Sequence, residues 1–578
     1  MTGFSGSLSR GGLQAGGAGR TFEGCRTLFR GHLADRRGVA ARLGAAPGAA
    51  AEDVLALAYR RWGEALTRFV LGEYAAVVAD EAAKTALLVH DALGLVPLFY
   101  SQRPGELVFA THLTELVGIV GTGELDEAYI ADYLATGEIP GERTPYALIR
   151  RLLPGESLRW SPDRVVARSV WSLAQADVEL PASERGYDER LLGLLHDAVG
   201  GAVAGGERAW AELSGGLDSS TVVSIAASAG RNPEAISFVY PRWPAADESR
   251  FMKAVAERWN VPHHSLDASV LLPFTEPPSG FFPEPTPSIY MGRLANARDE
   301  LLASHGVDVL LTGIGGDQVF GADAGMPFHL GDALFSRRPW RALRDLPEWN
   351  ARGARSMAHT IWHELLAPAI RHARGRQVWR APSKDLPDWI DPAYRAAMAL
   401  ESRCAHRLAP RCETPSRQFV ADELWNIGLN VSARGRRGAR HETRHPLLFL
   451  PLVEFMSCVS WRYKIHPSGD RVLQRRALRD VLPEAVLRRR SKAGGTWALV
   501  EGIRTSSVWS ELLCDRPEMV ERGIADRDRW RLAVRQARMG QLHGDRFFMT
   551  AVALEAWLQQ MRRARIAGPT SRGTNNGP

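Results

Sequence analysis

A loop rich in glycine and serine has the residue types that bind a phosphate group. It reads SGGLDSS, Ser214 to Ser220, and lies between a strand-like and a helix-like segment. Gly215 and Gly216 let the backbone approach an anion, and the helix N-terminus offers unpaired N–H groups. Asp218 would repel a bare phosphate, so we expect it to hold a cation that bridges to one. The alternative is an ordinary turn with a helix cap. The Walker pattern is excluded, because no GK[ST] follows.

A second glycine-rich loop, TGIGGDQ from Thr312 to Gln318, follows the strand-like segment DVLLT. It contributes another carboxylate, Asp317, and three glycines: Gly313, Gly315 and Gly316. Two aspartates at the ends of two parallel strands predict a Mg²⁺ ion shared between them and a triphosphate, because this ion prefers oxygen ligands. A helix cap at Asp317 is the alternative interpretation.

Lysine is rare, which makes each lysine more informative than usual. Of 72 basic residues only five are lysines, and the rest are arginines. A lysine at a position suited to chemistry is therefore hard to explain as a plain surface cation. The five are Lys84, Lys253, Lys384, Lys464 and Lys492.

The elements that must position both loops alternate between strand and helix patterns. Strand patterns occur in AWAEL, AISFVY, HHSL and DVLLT, and helix patterns in SSTVVSIAASAG and ESRFMKAVAERW. This alternation predicts an α/β fold with a parallel, doubly wound sheet. Ligands of such sheets bind beyond the carboxyl ends of the strands, where both loops lie.

The first part of the chain, residues 1–170, has a different pattern. A helix is predicted over Glu52 to Leu66 and a half-buried strand over Phe69 to Asp80. Short strands in TALLVHD, PLFYSQ and ELVFAT then predict an antiparallel meander. Loops are predicted at Gly11 to Gly19 and at Arg150 to Asp188.

A chain of 578 residues is long enough for two large domains. We assign residues 188–561 to the second domain, with a basic helical insert at 331–440 and a disordered tail at 562–578. The insert holds 20 basic residues against 11 acidic ones, and six tryptophans. The tryptophans either grip a flexible chain or form the core of the insert. An RNA-binding role ranks low, because no RNP-like or KH-like signature is present.

Composition excludes several classes of protein. With 45% hydrophobic and 24% charged residues the chain is not disordered throughout. No apolar run approaches the ~18 residues of a membrane-spanning helix, and the start has no secretory signal. The five cysteines are odd in number and lack CxxC spacing, which favours a reducing compartment over a zinc site. The sequence therefore predicts a cytoplasmic protein.

Several stretches together resemble the asparagine synthetase family. SGGLDSS is similar to its pyrophosphate-binding loop, and HETRHPLLFLPLVEF to its E-x-R-x-P-F-L-D stretch. Tyr463-Lys464, the R-x-x-x-R-x-A-L run from Arg471 to Leu478, and LPEAVLRRRSKAG from Leu482 to Gly494 follow in the family's order. The resemblance covers roughly 209–495 outside the basic insert. It implies an ATP-pyrophosphatase domain that activates a carboxylate as an acyl-adenylate.

The resemblance also implies roles for individual residues. It places Glu442 on the active-site glutamate, Lys492 on the catalytic lysine, and Lys464 beside them as a third catalytic residue. A salt bridge to Arg440 or Arg444 is the alternative for Glu442, and a surface cation for Lys492. The implied ligands of Mg²⁺ are Asp218 and Asp317. The implied ATP contacts are Leu213, Ser214, Gly215, Gly216, Asp218, Ser219, Ser220, Phe238, Gly313, Gly315 and Gly316.

The first domain resembles the glutaminase half of the same family, an Ntn-hydrolase-like αββα fold. EALTRFVLGEYAAVVAD and DALGLVPLFY are similar to its G-x-F-A-x-x-x-x-D and D-x-x-G-x-x-P-L-Y-Y patterns. A working glutaminase needs cysteine as its first mature residue, whereas this chain begins Met1-Thr2 and its first cysteine is Cys25. Threonine is a poorer nucleophile, so we expect a degenerate domain and an amine that comes with the substrate.

Family members that use a substrate amine include β-lactam synthetases and lasso peptide macrolactam synthetases. The former carry tyrosine within T-G-Y-G-S-D, where this chain has Ile314. The chain length and the basic, Trp-rich insert resemble the lasso cyclases more closely. That branch implies a precursor peptide as substrate, with a leader-binding protein and a leader peptidase as partners. The alternative is a β-lactam-synthetase-like enzyme or an ammonia-dependent asparagine synthetase, acting on a small amino acid.

The resemblance implies a mechanism in two steps. An Asp or Glu side chain of the peptide attacks the α-phosphate of ATP, and pyrophosphate leaves. The N-terminal amine of the peptide then attacks the adenylate, and AMP leaves as the ring closes. Lys492 would neutralise charge on the α-phosphate and on the oxyanion. Glu442 would orient or deprotonate the amine.

Overall fold

The computed structural model describes residues 3–566 apart from 17–18, 122, 322–328, 336–339, 354–355, 377, 379–385, 404–408, 435–439, 468, 491–495 and 542–545. In this part of the chain the strands are β1 Ser5–Ser9, β2 Gly12–Gly16, β3 Arg20–Phe22, β4 Cys25–Leu33, β5 Gly72–Asp80, β6 Thr85–His90, β7 Phe99–Arg103, β8 Glu106–Ala110, β9 Arg150–Arg151, β10 Glu156–Ser161, β11 Arg164–Ser169, β12 Ala209–Glu212, β13 Glu234–Val239, β14 His263–Asp267, β15 Val309–Leu311, β16 Glu442–Arg444, β17 Ile465–His466 and β18 Gly469–Asp470.

The α-helices of the same residues are α1 Arg36–Arg42, α2 Ala51–Trp62, α3 Leu113–Val120, α4 Glu127–Thr136, α5 Glu184–Ala202, α6 Leu217–Ser228, α7 Ser249–Trp259, α8 Gly292–Ser304, α9 Gly316–Phe320, α10 His329–Phe335, α11 Trp340–Gly353, α12 Met357–His359, α13 Ala367–Ala373, α14 Pro392–Ala397, α15 Leu400–Arg403, α16 Pro415–Arg434, α17 Leu450–Cys458, α18 Val472–Ala477, α19 Glu484–Leu487, α20 Thr496–Thr505, α21 Ser507–Cys514, α22 Glu518–Glu521, α23 Arg527–Arg538 and α24 Arg546–Ile566. Short 3₁₀ segments lie at Gly63–Arg68, Leu173–Gln175, Pro287–Ile289, Pro446–Leu448 and Trp461–Tyr463, and a π-helical segment at Thr360–Leu366.

The N-terminal domain is built from two antiparallel sheets between two layers of helices. One sheet has the strand order β2-β1-β8-β7-β9 and the other β11-β10-β6-β5-β4-β3. Leu88, Phe109 and Trp160 belong to the core between the sheets. Helix α2 packs on the outer face of the second sheet, and α3 on that of the first. The four layers confirm the αββα fold.

Strand β5 is covered on both faces, which stabilises this arrangement and differs from the half-buried strand predicted from its sequence. Tyr74, Ala76 and Val78 face the core under α2, whereas Ala75 and Val77 face the core between the sheets. Because both faces are covered, the strand is a continuous apolar run. The predicted half-buried strand is therefore buried on both sides.

Three expectations for this domain were wrong. The predicted single meander is divided between the two sheets, since β6 pairs with β5 and β10 whereas β7 pairs with β8 and β9. Strand β2 lies within the predicted loop at 11–19, where it forms a hairpin with β1. Strands β9 to β11 lie within the predicted loop at 150–188. Strand β9 has only two residues, and in β10 and β11 the apolar residues are few and lie among arginine and serine, although Leu158 and Trp160 are buried.

The second domain has a parallel sheet with the strand order β14-β13-β12-β15-β16. The chain moves outward from β12 to β14, then returns to place β15 on the other side of β12. The strand order therefore reverses between β12 and β15, which is where ligands of doubly wound sheets bind. Both glycine-rich loops leave the sheet at this point. The fifth strand, β16, was not predicted.

The described part of the insert at 331–440 is helical, as predicted, but its tryptophans differ in exposure, with Trp425 half-buried. Trp349 and Trp389 are buried, whereas Trp340 and Trp362 are 59% and 53% exposed. Trp379 lies outside the described residues. Helix α24 continues to Ile566, so the first five residues of the predicted disordered tail are helical.

No helix in the described ranges combines the length and the apolar character that crossing a membrane requires.

Candidate active site

The two glycine-rich loops lie against each other at the reversal point of the sheet. A Cβ atom on Gly313 would come within 2.7 Å of the backbone nitrogen of Ser219. A Cβ atom on Gly316 would come within 2.2 Å of Cγ of Asp218. Any side chain at these two positions would push the loops apart. The glycines of the second loop therefore let Asp317 approach Asp218.

The first loop forms a tight turn at the start of α6. Gly215 has a φ of +70°, a conformation that favours glycine. The backbone nitrogen of Ser214 donates to Oγ of Ser219 at 3.0 Å, and that of Gly216 donates to Oγ of Ser214 at 3.3 Å. The hydroxyl of Ser220 is buried and has no hydrogen-bond partner among the described residues. The turn thus gathers hydroxyl groups around the N-terminus of a 12-residue helix, which suits an anion.

A buried arginine joins the two aspartates. The Nη1 and Nη2 atoms of Arg471 donate to Asp218, the second at 3.0 Å, and Nη2 also donates to Asp317. The side chain of Arg471 is only 3% exposed. Burial opposes its charge, but the carboxylates of Asp218 and Asp317 outweigh this effect and raise its pKa. We call Asp218, Asp317 and Arg471 the loop junction.

The loop junction shows that a cation fits between the two predicted magnesium ligands. A guanidinium group already lies where both carboxylates can reach it. Mg²⁺ is commonly held by one or two carboxylates together with phosphates and water. Asp218 and Asp317 therefore fit such an ion, and the residues that would bind it are those the sequence predicted.

Two further predicted ATP contacts lie at the neighbouring strands. Leu213 directly follows β12 and is buried, and its backbone nitrogen donates to Ile236 at 2.8 Å. Phe238 is half-buried on β13, two residues beyond Ile236. Leu213 thus connects β12 to the first loop, and Phe238 lies on the neighbouring strand β13. Their contact with ATP stays a prediction.

A cavity of about 620 Å³ lies between the two domains, and we call it the interdomain chamber. Its lining includes Arg30 and His112 from the first domain and Glu442 from the second. Thr312 and Ile314 of the second glycine-rich loop also line it. The chamber therefore reaches the loop that carries Asp317.

Glu442 lies on the edge strand β16 and faces the chamber. Its carboxylate accepts a hydrogen bond from Arg444 at 2.7 Å and lies 3.7 Å from Nδ1 of His32 in the first domain. Burial opposes its charge, but His32 and Arg444 outweigh this effect and lower its pKa. Glu442 therefore forms the salt bridge to Arg444 that was its alternative interpretation, and it also lines the chamber. A lowered pKa makes the carboxylate of Glu442 a weaker base, which favours holding an ammonium group over removing a proton from it.

Other carboxylates of the chamber are also paired with bases. Glu73 accepts from Nδ1 of His445 at 2.8 Å, which joins the two domains. Glu284 accepts from the buried Arg151 at 2.8 Å. Two more carboxylates, those of Glu212 and Asp299, lie 3.4 and 2.9 Å from Arg298. These pairs hold the walls of the chamber in place.

Lys464 lies in the protein interior and not in the chamber. It is 2% exposed, and its Nζ lies 5.2 Å from the ring centre of Trp461. Burial lowers its pKa to about 7. Its carbonyl accepts from the backbone nitrogen of Val472 at 3.0 Å, next to Arg471. The position suits support of the loop junction, and a catalytic role stays a prediction.

Lys492 and Thr2 lie outside the described residues. Arg489 precedes Lys492 by three residues, and the structure describes its contact with the first glycine-rich loop. It donates to the carbonyl of Gly215 at 2.9 Å, forms an ion pair with Glu248, and covers the ring of Phe251 at 4.5 Å. Arg489 is therefore attached to the first loop, three residues before Lys492 in the sequence.

The described lining of the interdomain chamber contains no cysteine. Cys25 is completely buried under α2, and burial raises the pKa of its thiol. Asp91, from the glutaminase-like pattern, accepts hydrogen bonds from the backbone nitrogens of Leu93, Leu95 and Val96. Its carboxylate is used to hold a loop of the chamber wall.

Several residues of the site were missed from the sequence. Arg471 lay in a matched run, but no role was assigned to it. Arg489, Glu73 and His445 also lay in stretches that resemble the family, but none of them was singled out. Glu73 is 372 residues from His445, so no local pattern connects them.

Comparisons with known proteins agree with the two-domain architecture. A model of the asparagine synthase family matches residues 190–559, and a model of a glutamine amidotransferase domain matches residues 45–171. The chain is 22% identical over 509 residues to asparagine synthetase [glutamine-hydrolyzing] 3 of Bacillus subtilis, covering 82% of this chain and 75% of that protein. It is 28% identical over 329 residues to amidase chyE of Penicillium rubens, covering 53% of this chain and about half, 47%, of that protein.

A solved glutamine phosphoribosylpyrophosphate amidotransferase of B. subtilis is 12% identical, with a TM-score of 0.21, over 54% of this chain and 86% of that one. The asparagine synthase match spans well over half of the 578 residues. It includes both glycine-rich loops, Glu442 and Lys492. The chain belongs to the asparagine synthase family and is an asparagine synthetase-like, ATP-dependent ligase with a glutamine amidotransferase-type N-terminal domain.

Proposed function

We propose that this ligase closes a macrolactam ring in a peptide. It adenylates an Asp or Glu side chain of a precursor peptide and joins that carboxyl group to the N-terminal amine of the same peptide. The main support is the interdomain chamber, which reaches the second glycine-rich loop through Thr312 and Ile314. Its volume of about 620 Å³ exceeds what a single small amino acid needs and lies in the range of pockets that enclose larger ligands.

The nucleotide is held at the loop junction and the first glycine-rich loop. The N-terminus of α6, with the hydroxyls of Ser214, Ser219 and Ser220, accommodates the phosphates that become pyrophosphate. Asp218 and Asp317 would hold Mg²⁺, which when bound neutralises phosphate charge. In the first step a carboxylate oxygen of the peptide bonds to the α-phosphorus, and the bond to pyrophosphate breaks.

The amine is held on the chamber side. Glu442 is ionised and attracts the ammonium group, and Ile314 supplies an apolar wall next to it. After the ammonium group loses a proton to water, its nitrogen bonds to the acyl carbon and AMP leaves with the former carboxylate oxygen. The nitrogen then releases a second proton to water as the amide forms. Lys492 stabilises the oxyanion of this step. Holding both ends of one peptide together supplies an entropic advantage.

The amine source separates this proposal from its main competitor. The B. subtilis relative is named as a glutamine-hydrolysing asparagine synthetase. The described lining of the chamber offers no cysteine for that hydrolysis. A peptide amine as the nucleophile agrees with this lining. The competing hypothesis is a synthetase that uses free ammonia.

The partners follow from the substrate. A precursor peptide with a leader requires a leader-binding protein and a leader peptidase, and we propose both as partners in the same pathway. Nucleic acid is not among the proposed partners. The exposed Trp340 and Trp362 of the insert are available to contact the peptide.

The test uses the precursor peptide that we expect a short reading frame beside this gene to encode, with ¹⁸O in the side-chain carboxylate that is to be adenylated. The proposal predicts AMP that carries ¹⁸O, and a peptide product lighter by one water. Lys492→Ala should abolish the product while ATP binding survives, and Lys492→Arg should fail substantially. The matched control is Lys253→Ala, because Lys253 is a surface lysine paired with Glu257. Pyrophosphate release driven by free aspartate and ammonia, with no peptide product, would contradict the proposal.

A further inference from the structure

Arg471 lies between the two carboxylates that would hold a magnesium ion. Its guanidinium contacts both oxygens of Asp218 and one of Asp317, and these carboxylates come from different loops. A divalent ion held by the same two carboxylates would repel the guanidinium group and compete with it for the oxygens of Asp218. We therefore expect binding of the ion to draw Arg471 away from at least one of the two carboxylates.

The surroundings of Arg471 make its release costly unless a new partner is supplied. The side chain is 3% exposed, and its Nε atom is buried without a hydrogen-bond partner among the described residues. Removing the carboxylates as well would leave a buried charge unpaired, which is strongly unfavourable. Phosphate oxygens are good new partners for arginine, because they accept paired hydrogen bonds.

Two neighbouring features describe how the side chain reaches the loop junction. Gln474 accepts from Nη1 of Arg471 at 3.0 Å, while its own amide donates to Thr221 at 3.2 Å. Arg471 itself has a φ of +57°, an uncommon conformation for a residue other than glycine. It precedes α18, so its guanidinium approaches the loop junction from an element that neither glycine-rich loop belongs to.

We propose that Arg471 is an internal counter-ion that keeps the magnesium site closed until magnesium–ATP arrives, and that it then becomes a phosphate ligand. This inference rests on the proposed magnesium–ATP site. It predicts two effects of opposite sign when Arg471 is replaced. Binding of a free metal ion becomes stronger, whereas binding of the metal–nucleotide complex becomes weaker.

The experiment measures Mn²⁺ binding by electron paramagnetic resonance, without nucleotide and with the non-cleavable analogue α,β-methylene-ATP. Arg471→Met should bind free Mn²⁺ about tenfold or more tightly than the wild type, since no charged hydrogen bonds must be broken. The same variant should bind Mn²⁺–analogue about tenfold or more weakly, because a charged phosphate contact is lost. Adding Asp317→Asn to Arg471→Met should abolish the gain in Mn²⁺ binding.

The matched control is Arg476→Met on helix α18, which Arg471 precedes. Arg476 also lies between two carboxylates, those of Glu184 and Asp188, but away from the glycine-rich loops. It should change neither measurement, and an equal gain in Mn²⁺ binding there would overturn the proposal. If Arg471→Met does not fold, Arg471→Lys serves instead, since an ammonium group cannot contact both carboxylates as a fork. It should show the same two changes with smaller size, and unchanged Mn²⁺ binding would overturn the proposal.

The outcomes separate this inference from the proposed function. A wild-type protein that does not bind Mn²⁺–analogue, or binds it independently of Asp317, would overturn the magnesium–ATP site itself. A wild type that binds the analogue through Asp317, with no gain of free Mn²⁺ binding in the Arg471 variants, would overturn only the role of Arg471.

Discussion

The loop junction and the interdomain chamber both contain carboxylates, but they arrange them differently. In the loop junction, Asp218 and Asp317 converge from two loops on one guanidinium group. In the chamber, Glu73, Glu284 and Glu442 each accept from a separate base. Convergence creates a place where a single cation can bridge two loops, whereas separate pairs fix the walls of a cavity. The first arrangement suits an exchangeable ion, and the second suits a preformed binding site.

The comparison is tested most severely by breaking one of the fixed pairs. Glu73→Gln removes the charge from a pair that joins the two domains, and loss of such a buried partner costs ~3–5 kcal/mol. We expect a lower free energy of unfolding by about that amount in urea. Glu184→Gln, in an exposed pair with Arg476, should cost at most ~1 kcal/mol. Equal effects of the two changes would contradict a structural role for the chamber pairs.

The same pair predicts a dependence of stability on pH. Burial of Glu73 raises its pKa, but the interactions with His445 and with the nearby His32 have the larger effect, so the pKa of Glu73 is lowered. The acidic residue that interacts with Glu73 is Asp91. A lowered pKa means that the stabilisation is present above the ordinary carboxyl range and is lost as pH falls through the folded pKa. The wild type should therefore lose more stability than Glu73→Gln between about pH 5 and pH 3. If the free energies of unfolding of the two proteins fall in parallel with pH, the ionised pair does not contribute to stability.

Filling the chamber should separate its role from that of the loop junction. Ile314→Trp places a large side chain in the chamber, and we expect KM for the peptide to rise about tenfold or more, equivalent to ~1.4 kcal/mol. The Kd of Mg²⁺–ATP should stay unchanged, because Ile314 does not belong to the loop junction. Leu148→Trp, at a position that is 64% exposed, is the control. A loss of ATP affinity in Ile314→Trp would show that chamber and junction are not separate sites.

A smaller effect is expected at the surface of the basic insert. Replacing the exposed Trp340 and Trp362 by alanine should raise KM for the peptide about fivefold, or ~1 kcal/mol, without changing the melting temperature. Trp389→Ala removes a core side chain and should instead destabilise the protein by ~3–5 kcal/mol. If the exposed pair changes only the melting temperature, the insert is a scaffold.

No effect at all is expected from glutamine. The purified protein should release no glutamate from glutamine, and added glutamine should not raise product formation. The described chamber lining has no cysteine, and Cys25 is buried elsewhere. Glutamate release that disappears in Thr2→Ala would overturn the prediction of a degenerate glutaminase domain.

The sequence predicted the parts of the site that depend on local patterns. Glycine and aspartate at strand ends were enough to identify both loops, because the backbone turn and the metal ligand lie in one segment. Arg471 was not assigned a role, since it is 253 residues from Asp218 and 154 from Asp317. Only the folded chain shows that these three side chains meet.

The fold was predictable to a similar extent. Strands β12, β13 and β15 were found because short apolar runs alternate with helical segments, and β14 was predicted from its place in that alternation. Strand β16 has only three residues, Glu442–Arg444, two of them charged, and it joins the sheet through distant pairing with β15. The division of the first domain into two sheets also depends on pairing between distant segments, which no single segment specifies.

The central claim is that Asp218 and Asp317 act on one shared ion, and a double-mutant cycle tests it directly. The Kd of Mg²⁺–α,β-methylene-ATP would be measured by calorimetry for the wild type, Asp218→Asn, Asp317→Asn and the double variant. Each single change should weaken binding about tenfold or more, and the double change should weaken it little further, because residues with a shared partner are not additive. Fully additive losses, or single variants that bind as well as the wild type, would contradict the shared site.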